Sequence, residues 1–279
     1  MNKPIYRHLA SLQWRSYKRK ILLQRLEQMT VIPDILPYID PTVSTSLSFG
    51  RTKVPHGDIV LSTLSEQAPK LRIQTYEKGE KLLTIAVVNP DVPNVEKDGF
   101  DYRCHFLAAN IPIAPTQTDV DFAKLDSESQ VIIPWLPAYA QKGLPYQRMA
   151  IFIFEQTPYE IANEAAVAAS TASASSDPGS PAPSTDDFPT LYPPRSSTSL
   201  PVQAIKTKAR YTVRENFILR SFASKYRLNT IGADLFRTKF DEGTADVMAR
   251  AGIVGGDVEF RRKRVEPLPY KRLKSERYR

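Results

Sequence analysis

Apolar residues spaced three to four apart open the chain. Ile5, Leu9, Leu12, Leu23 and Leu26 fall close to one face of a helix over residues 5–29, with Ser16 and Arg19 interrupting the middle of that face. Pro33, Pro37 and Pro41 then break the pattern, which predicts an extended connector. Its Ile32, Ile35 and Leu36 are available to dock on a neighbour. From Val43 the period changes to two. Thr45–Phe49 and Ile59–Leu64 read as short strands, and in Leu71–Tyr76 apolar Leu71 and Ile73 alternate with Arg72 and Gln74. Leu82–Val88 is nearly all apolar, as a strand covered on both faces must be. His105–Ile111, Ile151–Glu155 and Asp234–Phe240 are further strands, and Asn216–Tyr226 has a basic, helix-like end. Many short strands between proline-rich turns, with no Gly-rich βαβ unit, predict a β-dominated α+β fold: a sandwich with a few peripheral helices.

One stretch follows neither period. Residues 157–204 are small, polar and rich in alanine and proline, too poor in apolar bulk to offset the entropy of ordering them. The expected organisation is a basic helix and connector over 1–42 and a β domain built from 43–156 and 205–252. A low-complexity insertion at 157–204 interrupts that domain, and a basic tail over 253–279 follows it.

Charge sharpens this division. The chain carries a net +8, but residues 1–30 hold +6 and residues 261–279 hold +7, which leaves −5 for the 230 residues between. Two basic ends on a mildly acidic body point to a polyanionic partner, because Lys and Arg that neutralise phosphates release counterions. Solvated tails are the plainer alternative. The candidate contacts are Arg15, Lys18, Arg19, Lys20 and Arg25 at one end, and Arg261, Arg262, Lys263, Arg264, Lys271, Arg272 and Lys274 at the other. Trp14, Tyr17, Tyr270 and Tyr278, interleaved with them, are candidates to stack on bases or sugars. A basic amphipathic helix also fits a membrane surface, although Ser16 and Arg19 break the face that would insert.

Catalytic signatures are missing from the sequence. It has no Gly-x-Ser-x-Gly elbow, no phosphate-binding glycine loop and no His-Glu-x-x-His pair. Cys104 is the single cysteine, so an internal disulfide is excluded. It adjoins His105, but strand neighbours point to opposite faces, which keeps thiol and imidazole apart. No run approaches the roughly 18 apolar residues that span a bilayer. No enzyme activity, cofactor or metal site is expected.

Four segments, in order, resemble the phosphatidylethanolamine-binding protein (PEBP) family. Leu82–Pro93 (LLTIAVVNPDVP) is similar to the family's central strand and its Asp-Pro-Asp-x-Pro turn. His105–Pro112 (HFLAANIP) is similar to its His-x-x-x-x-Asn strand. Arg148–Gln156 (RMAIFIFEQ) is similar to the strand after its Gly-x-His-Arg-Tyr turn, and Arg214–Phe240 to its basic helix, glycine turn and terminal strand. The resemblance implies a PEBP-like sandwich with a small polar pocket for phosphate-like headgroups. Asp91 and His105 match pocket residues, and Arg148 matches the turn's arginine. Asn89 stands where an aspartate is expected, Gln147 replaces a histidine and Met149 replaces a tyrosine, unless a one-residue shift lets Tyr146 supply the hydroxyl. Asn89, Asp91, His105, Gln147 and Met149 therefore read as a vestigial pocket.

PEBP-like proteins with basic extensions occur in mitochondrial large ribosomal subunits, and this sequence looks like the fungal type. The function so implied is structural, in the mitochondrial matrix. The partners would be large-subunit rRNA and neighbouring mitochondrial ribosomal proteins, with no DNA and no transmembrane segment. The alternative is a headgroup-binding PEBP that regulates a kinase or protease.

Overall fold

A computed structural model of the protein describes residues 3–156 and 199–260. Within them, ten strands form two sheets. The smaller sheet holds β1 (Ser44–Phe49), β2 (Thr52–Val54), β4 (Lys70–Gln74) and β7 (Asp119–Asp121) in the order β2-β1-β4-β7. The larger holds β3 (Ile59–Val60), β5 (Lys81–Asn94), β6 (Gly99–Ile113), β8 (Val131–Ile133), β9 (Gln147–Gln156) and β10 (Leu228–Thr238) in the order β3-β10-β9-β5-β6-β8. Each pairing of these strands is antiparallel except β3 with β10. The expected β-dominated sandwich is what forms.

The larger sheet is the middle of three layers. On one side, Leu83, Ile85 and Val87 of β5 and Met149, Ile151 and Ile153 of β9 meet Leu47, Phe49, Leu71 and Ile73 of the smaller sheet. On the other side, Ala86, Val88, Phe152 and Phe154 meet helices. Both central strands are thus apolar through their middles for the reason the sequence suggests: neither face sees water. Gly232 of β10 sits at a register shift where a Cβ would come within 2.6 Å of Val43 Cγ2, so only glycine admits the chain entering the sandwich there.

The helical layer comprises α2 (Arg19–Gln28), α5 (Val202–Lys206), α6 (Ala209–Thr212) and α7 (Leu219–Lys225), reached after α1 (Pro4–Gln13), α3 (Val31–Asp34) and α4 (Ser62–Ser65) in chain order. A last helix, α8 (Thr244–Arg250), comes after β10. Leu200, Val202 and Ile205 pack into the helix-side core. The expected insertion otherwise lies outside the described residues, as does the basic tail from 261 onward.

Three expectations for individual segments change. The arm does not present one apolar face. Leu22 and Leu26 are buried in the helix-side core, whereas Ile5, Leu9 and Leu12 are exposed and no residue of α1 is buried. A π turn over Trp14–Lys18 separates the two helices; its extra residue rotates α2 by about 100° relative to α1 and brings Leu22 and Leu26 onto the side where Trp14 packs. Second, Ile35 and Leu36 dock on the chain's own core rather than on a neighbour, with Ile32 partly buried beside them. A buried leucine contributes roughly 1.5–3 kcal/mol, so this docking fixes the connector firmly. Third, the strand read over Ile59–Leu64 stops at Val60. The Ser62 backbone N–H donates to Asp241 at 2.7 Å and its hydroxyl donates to the same carboxylate, which draws residues 62–65 into α4.

Candidate functional site

Asn89 and Asp91, at the far end of β5, face Gln147 and Arg148, at the start of β9, and the two pairs use this proximity differently. Asp91 accepts from the Arg148 backbone N–H at 2.8 Å, from Nε at 2.9 Å and from Nη2 at 2.5 Å. The other guanidinium nitrogen, Nη1, reaches the N-terminal arm. It donates to the Met29 carbonyl at 2.9 Å, to the Thr30 carbonyl at 3.0 Å and hydroxyl at 2.6 Å, and to Asp34 Oδ2 at 2.9 Å. Burial works against the Arg148 charge, but its hydrogen bonds and attraction to Asp91 and Asp34 prevail and raise its pKa. Thr30 has φ +51°, a conformation that non-glycine residues adopt only when their surroundings impose it. Arg148 supplies that hold, and α2 ends there. A cleft of about 300 Å³ beside this junction is lined by Thr30, Asp91, Phe100, Tyr146 and Arg148 among others. Tyr146 lies in it with the Arg237 guanidinium 4.7 Å over its ring.

The second pair is turned inward. Asn89 Nδ2 donates to Gln147 Oε1 at 2.9 Å, and both amides are buried. Met149 points into the core between the sheets. His105 is fully buried, with Nδ1 3.1 Å from the Leu136 carbonyl. Since a carbonyl only accepts, Nδ1 carries the proton and Nε2 is left as an acceptor, with no hydrogen-bond partner. Burial pushes the His105 pKa down to about 3, and the positive charges of Arg103 and Arg214 add to this, while the Leu136 and Pro137 carbonyls oppose it. A neutral imidazole showing only a lone pair repels an anion rather than binding it. Neither the Asp91 carboxylate nor the His105 Nε2 thus offers the hydrogen-bond donor that an anion site requires.

A second cleft, of about 400 Å³, is lined by Pro93, Arg103, Tyr139, Gln147, Arg214 and Glu215 among others. Arg103 lies 5.6 Å over the Tyr139 ring and 3.4 Å from Glu215. Arg214 donates to the His105 carbonyl at 3.2 Å and, at 3.4 Å, to that of Cys104. Burial lowers the pKa of both arginines. The sequence reading missed Arg103, Arg214 and Tyr139. Strand alternation offered a signal for the first, since Arg103 shares a face with His105. Cys104 faces the helix layer instead, and burial raises its pKa to about 12, which makes it unreactive.

Of the predicted basic contacts, Arg15, Lys18, Lys20 and Arg25 are exposed and have no ion pair among the described residues. Arg19 is turned inward to Asp40 and the Pro41 carbonyl. Trp14 is unavailable for stacking on a base, because it is buried with its ring centroid 5.8 Å from that of Tyr76, whereas Tyr17 is 66% exposed. The contacts expected from Arg261, Arg262, Lys263, Arg264, Lys271, Arg272, Lys274, Tyr270 and Tyr278 lie outside the described residues. Among the described residues, no cluster of His, Cys, Asp and Glu could hold a metal ion, and no helix is long and apolar enough to cross a membrane.

Residues 48–210 match the sequence profile of the phosphatidylethanolamine-binding protein family. The chain belongs to this family. Three members or neighbours show how far the PEBP likeness runs. Over 271 residues the chain is 26% identical to large ribosomal subunit protein mL38 of Schizosaccharomyces pombe, covering 95% of this chain and 71% of that protein. Over 94 residues it is 24% identical to protein TERMINAL FLOWER 1 of Arabidopsis thaliana, covering 34% of this chain and 51% of that protein. The solved structure of a carboxypeptidase Y inhibitor, in complex with its cognate proteinase, aligns with TM-score 0.51 at 11% identity, over 80% of this chain and 97% of that one. At so low an identity the last likeness shows the PEBP fold alone.

Proposed function

We propose that this PEBP-family chain is a structural constituent of the mitochondrial large ribosomal subunit and not an enzyme. The observation that carries the reading is the reach of the S. pombe match. It covers 95% of the chain, well beyond the 48–210 stretch shared with the family at large, and so takes in most of the N-terminal arm. The protein resides in the mitochondrial matrix, where it contacts large-subunit rRNA and neighbouring ribosomal proteins. Arg15, Lys18, Lys20 and Arg25 bind rRNA phosphates, and Tyr17 packs on a base or sugar, with no reading of base identity. The basic residues from Arg261 onward extend the same contact. Two features of the pocket support a structural role: Asn89 is bonded to Gln147, and Arg148 is committed to Asp91 and to the chain's own arm. The family's headgroup site is accordingly out of use.

Sucrose-gradient sedimentation of a mitochondrial lysate through a salt series tests this. The protein is expected to travel with the large-subunit rRNA. Deleting 261–279, or changing Arg15, Lys18, Lys20 and Arg25 together to glutamine, is expected to weaken that association, with the difference shrinking as salt rises. Recovery of the intact protein only in light fractions at low salt overturns the assignment. A calorimetric titration with phosphoethanolamine is expected to show no saturable binding, and a one-site isotherm would return the pocket to use.

A further inference from the structure

The outward face of α1 is the feature that neither the fold nor rRNA binding uses. Ile5, Leu9 and Leu12 are 70%, 56% and 50% exposed. They stand at i, i+4 and i+7, the spacing with which an amphipathic helix anchors in an apolar groove. Trp14, which packs against Tyr76, lies nine residues beyond Ile5 and so about half a turn round the helix from this stripe. The π turn then keeps the side of Trp14 for Leu22 and Leu26. A helix that folded only for its own domain would turn its leucines inward, and this one keeps them out.

We infer that Ile5, Leu9 and Leu12 dock α1 into an apolar groove with an acidic rim on a neighbouring protein. Charge selects this occupant. No acidic residue precedes Glu27, and Lys3, Arg7, Arg15 and Lys18 make the arm that carries the stripe wholly basic. An aliphatic stripe offers an RNA backbone no hydrogen bond, and a second copy would bring a like-charged helix. A bilayer is a poor match for an apolar stripe only two turns long, in a helix whose far end is held at Trp14. The inference goes beyond rRNA binding, because it assigns a protein contact to a different face of the arm.

Benzoylphenylalanine in place of Leu9 in the full-length chain, irradiated in whole cells, reads this contact whichever complex the protein occupies. Mass spectrometry is expected to identify one partner protein, cross-linked at a segment whose aliphatic residues are bordered by Asp or Glu. Leu12→Ser is expected to lower the yield roughly tenfold. It should leave the Tm unchanged, since α1 buries no side chain. Cross-links to RNA, to lipid or to a second copy overturn the inference, as does the absence of any cross-link. Flotation with phosphatidylcholine–cardiolipin vesicles is expected to show no binding, and binding that Leu12→Ser abolishes would assign the face to a membrane instead. Sedimentation of the same labelled protein is scored separately, so loss of this contact and loss of the ribosomal assignment are told apart.

Discussion

Asp91 with Arg148 and Asn89 with Gln147 join the same two strands within a few ångströms, yet one pair is charged and reaches outward while the other is neutral and closed on itself. The charged pair has one guanidinium nitrogen to spare, and the arm takes it. The amide pair is buried, and its members bond to each other at 2.9 Å. The charged pair thus holds the arm in place, whereas the amide pair links only β5 to β9.

The largest effect expected from this difference is at Arg148. Arg148→Ala strips Asp91 and Asp34 of their partner and frees the turn at Thr30. It should cost about 3 kcal/mol in chemical unfolding, and limited proteolysis should then cut between residues 29 and 42 before the β domain. An arm that stays protected would show that apolar docking by Leu22, Leu26 and Ile35 is sufficient.

Next is His105. The unfolded chain takes up a proton near pH 6.5, while the folded protein resists it down to about pH 3. Stability is then complete above pH 6.5 and declines as pH falls, by about 2 kcal/mol at pH 5. His105→Gln should flatten this acid limb. If both proteins lose stability in parallel, the imidazole is not buried in its neutral form.

Asn89→Ala should cost about 1 kcal/mol by orphaning the Gln147 carbonyl. The urea midpoint is expected to drop at constant m-value, with arm protection unchanged. Loss of protection would mean that the two pairs are coupled after all.

The smallest effect lies at His56, whose Nδ1 is 2.7 Å from Asp234. Burial opposes its charge, but the hydrogen bond to Asp234 and that carboxylate's charge prevail and raise its pKa. Its contribution, less than about 1 kcal/mol at this partly exposed site, is whole below pH 6.5 and fades as pH rises through the raised value. His56→Gln should remove that alkaline drift and leave the acid limb of His105 intact.

Much of this architecture was legible in the residues. Double-faced burial was written in LLTIAVV and AIFIF, and the four family segments named the sandwich. The phase of the arm was not legible, because Ile21, Leu22 and Leu23 are consecutive and any of them can continue a stripe. Trp14 settles it, by packing on Tyr76 and pulling Leu22 in through the π turn. The anchor was hidden for another reason. Asp34 and Arg148 stand 114 residues apart, and nothing local marks either as the partner of the other. The pocket substitutions at Asn89, Gln147 and Met149 were visible, but not that two of them bond to each other.

The turn at Thr30 has a consequence for assembly. Ordering a free segment costs roughly 1–2 kcal/mol per residue in backbone entropy, and flexible arms meet that cost when they bind. Here Arg148 and the buried connector meet it during folding, so residues 19–43 arrive preorganised. A partner of α2 then forfeits rigid-body freedom and little else, which favours tight association from a modest contact area.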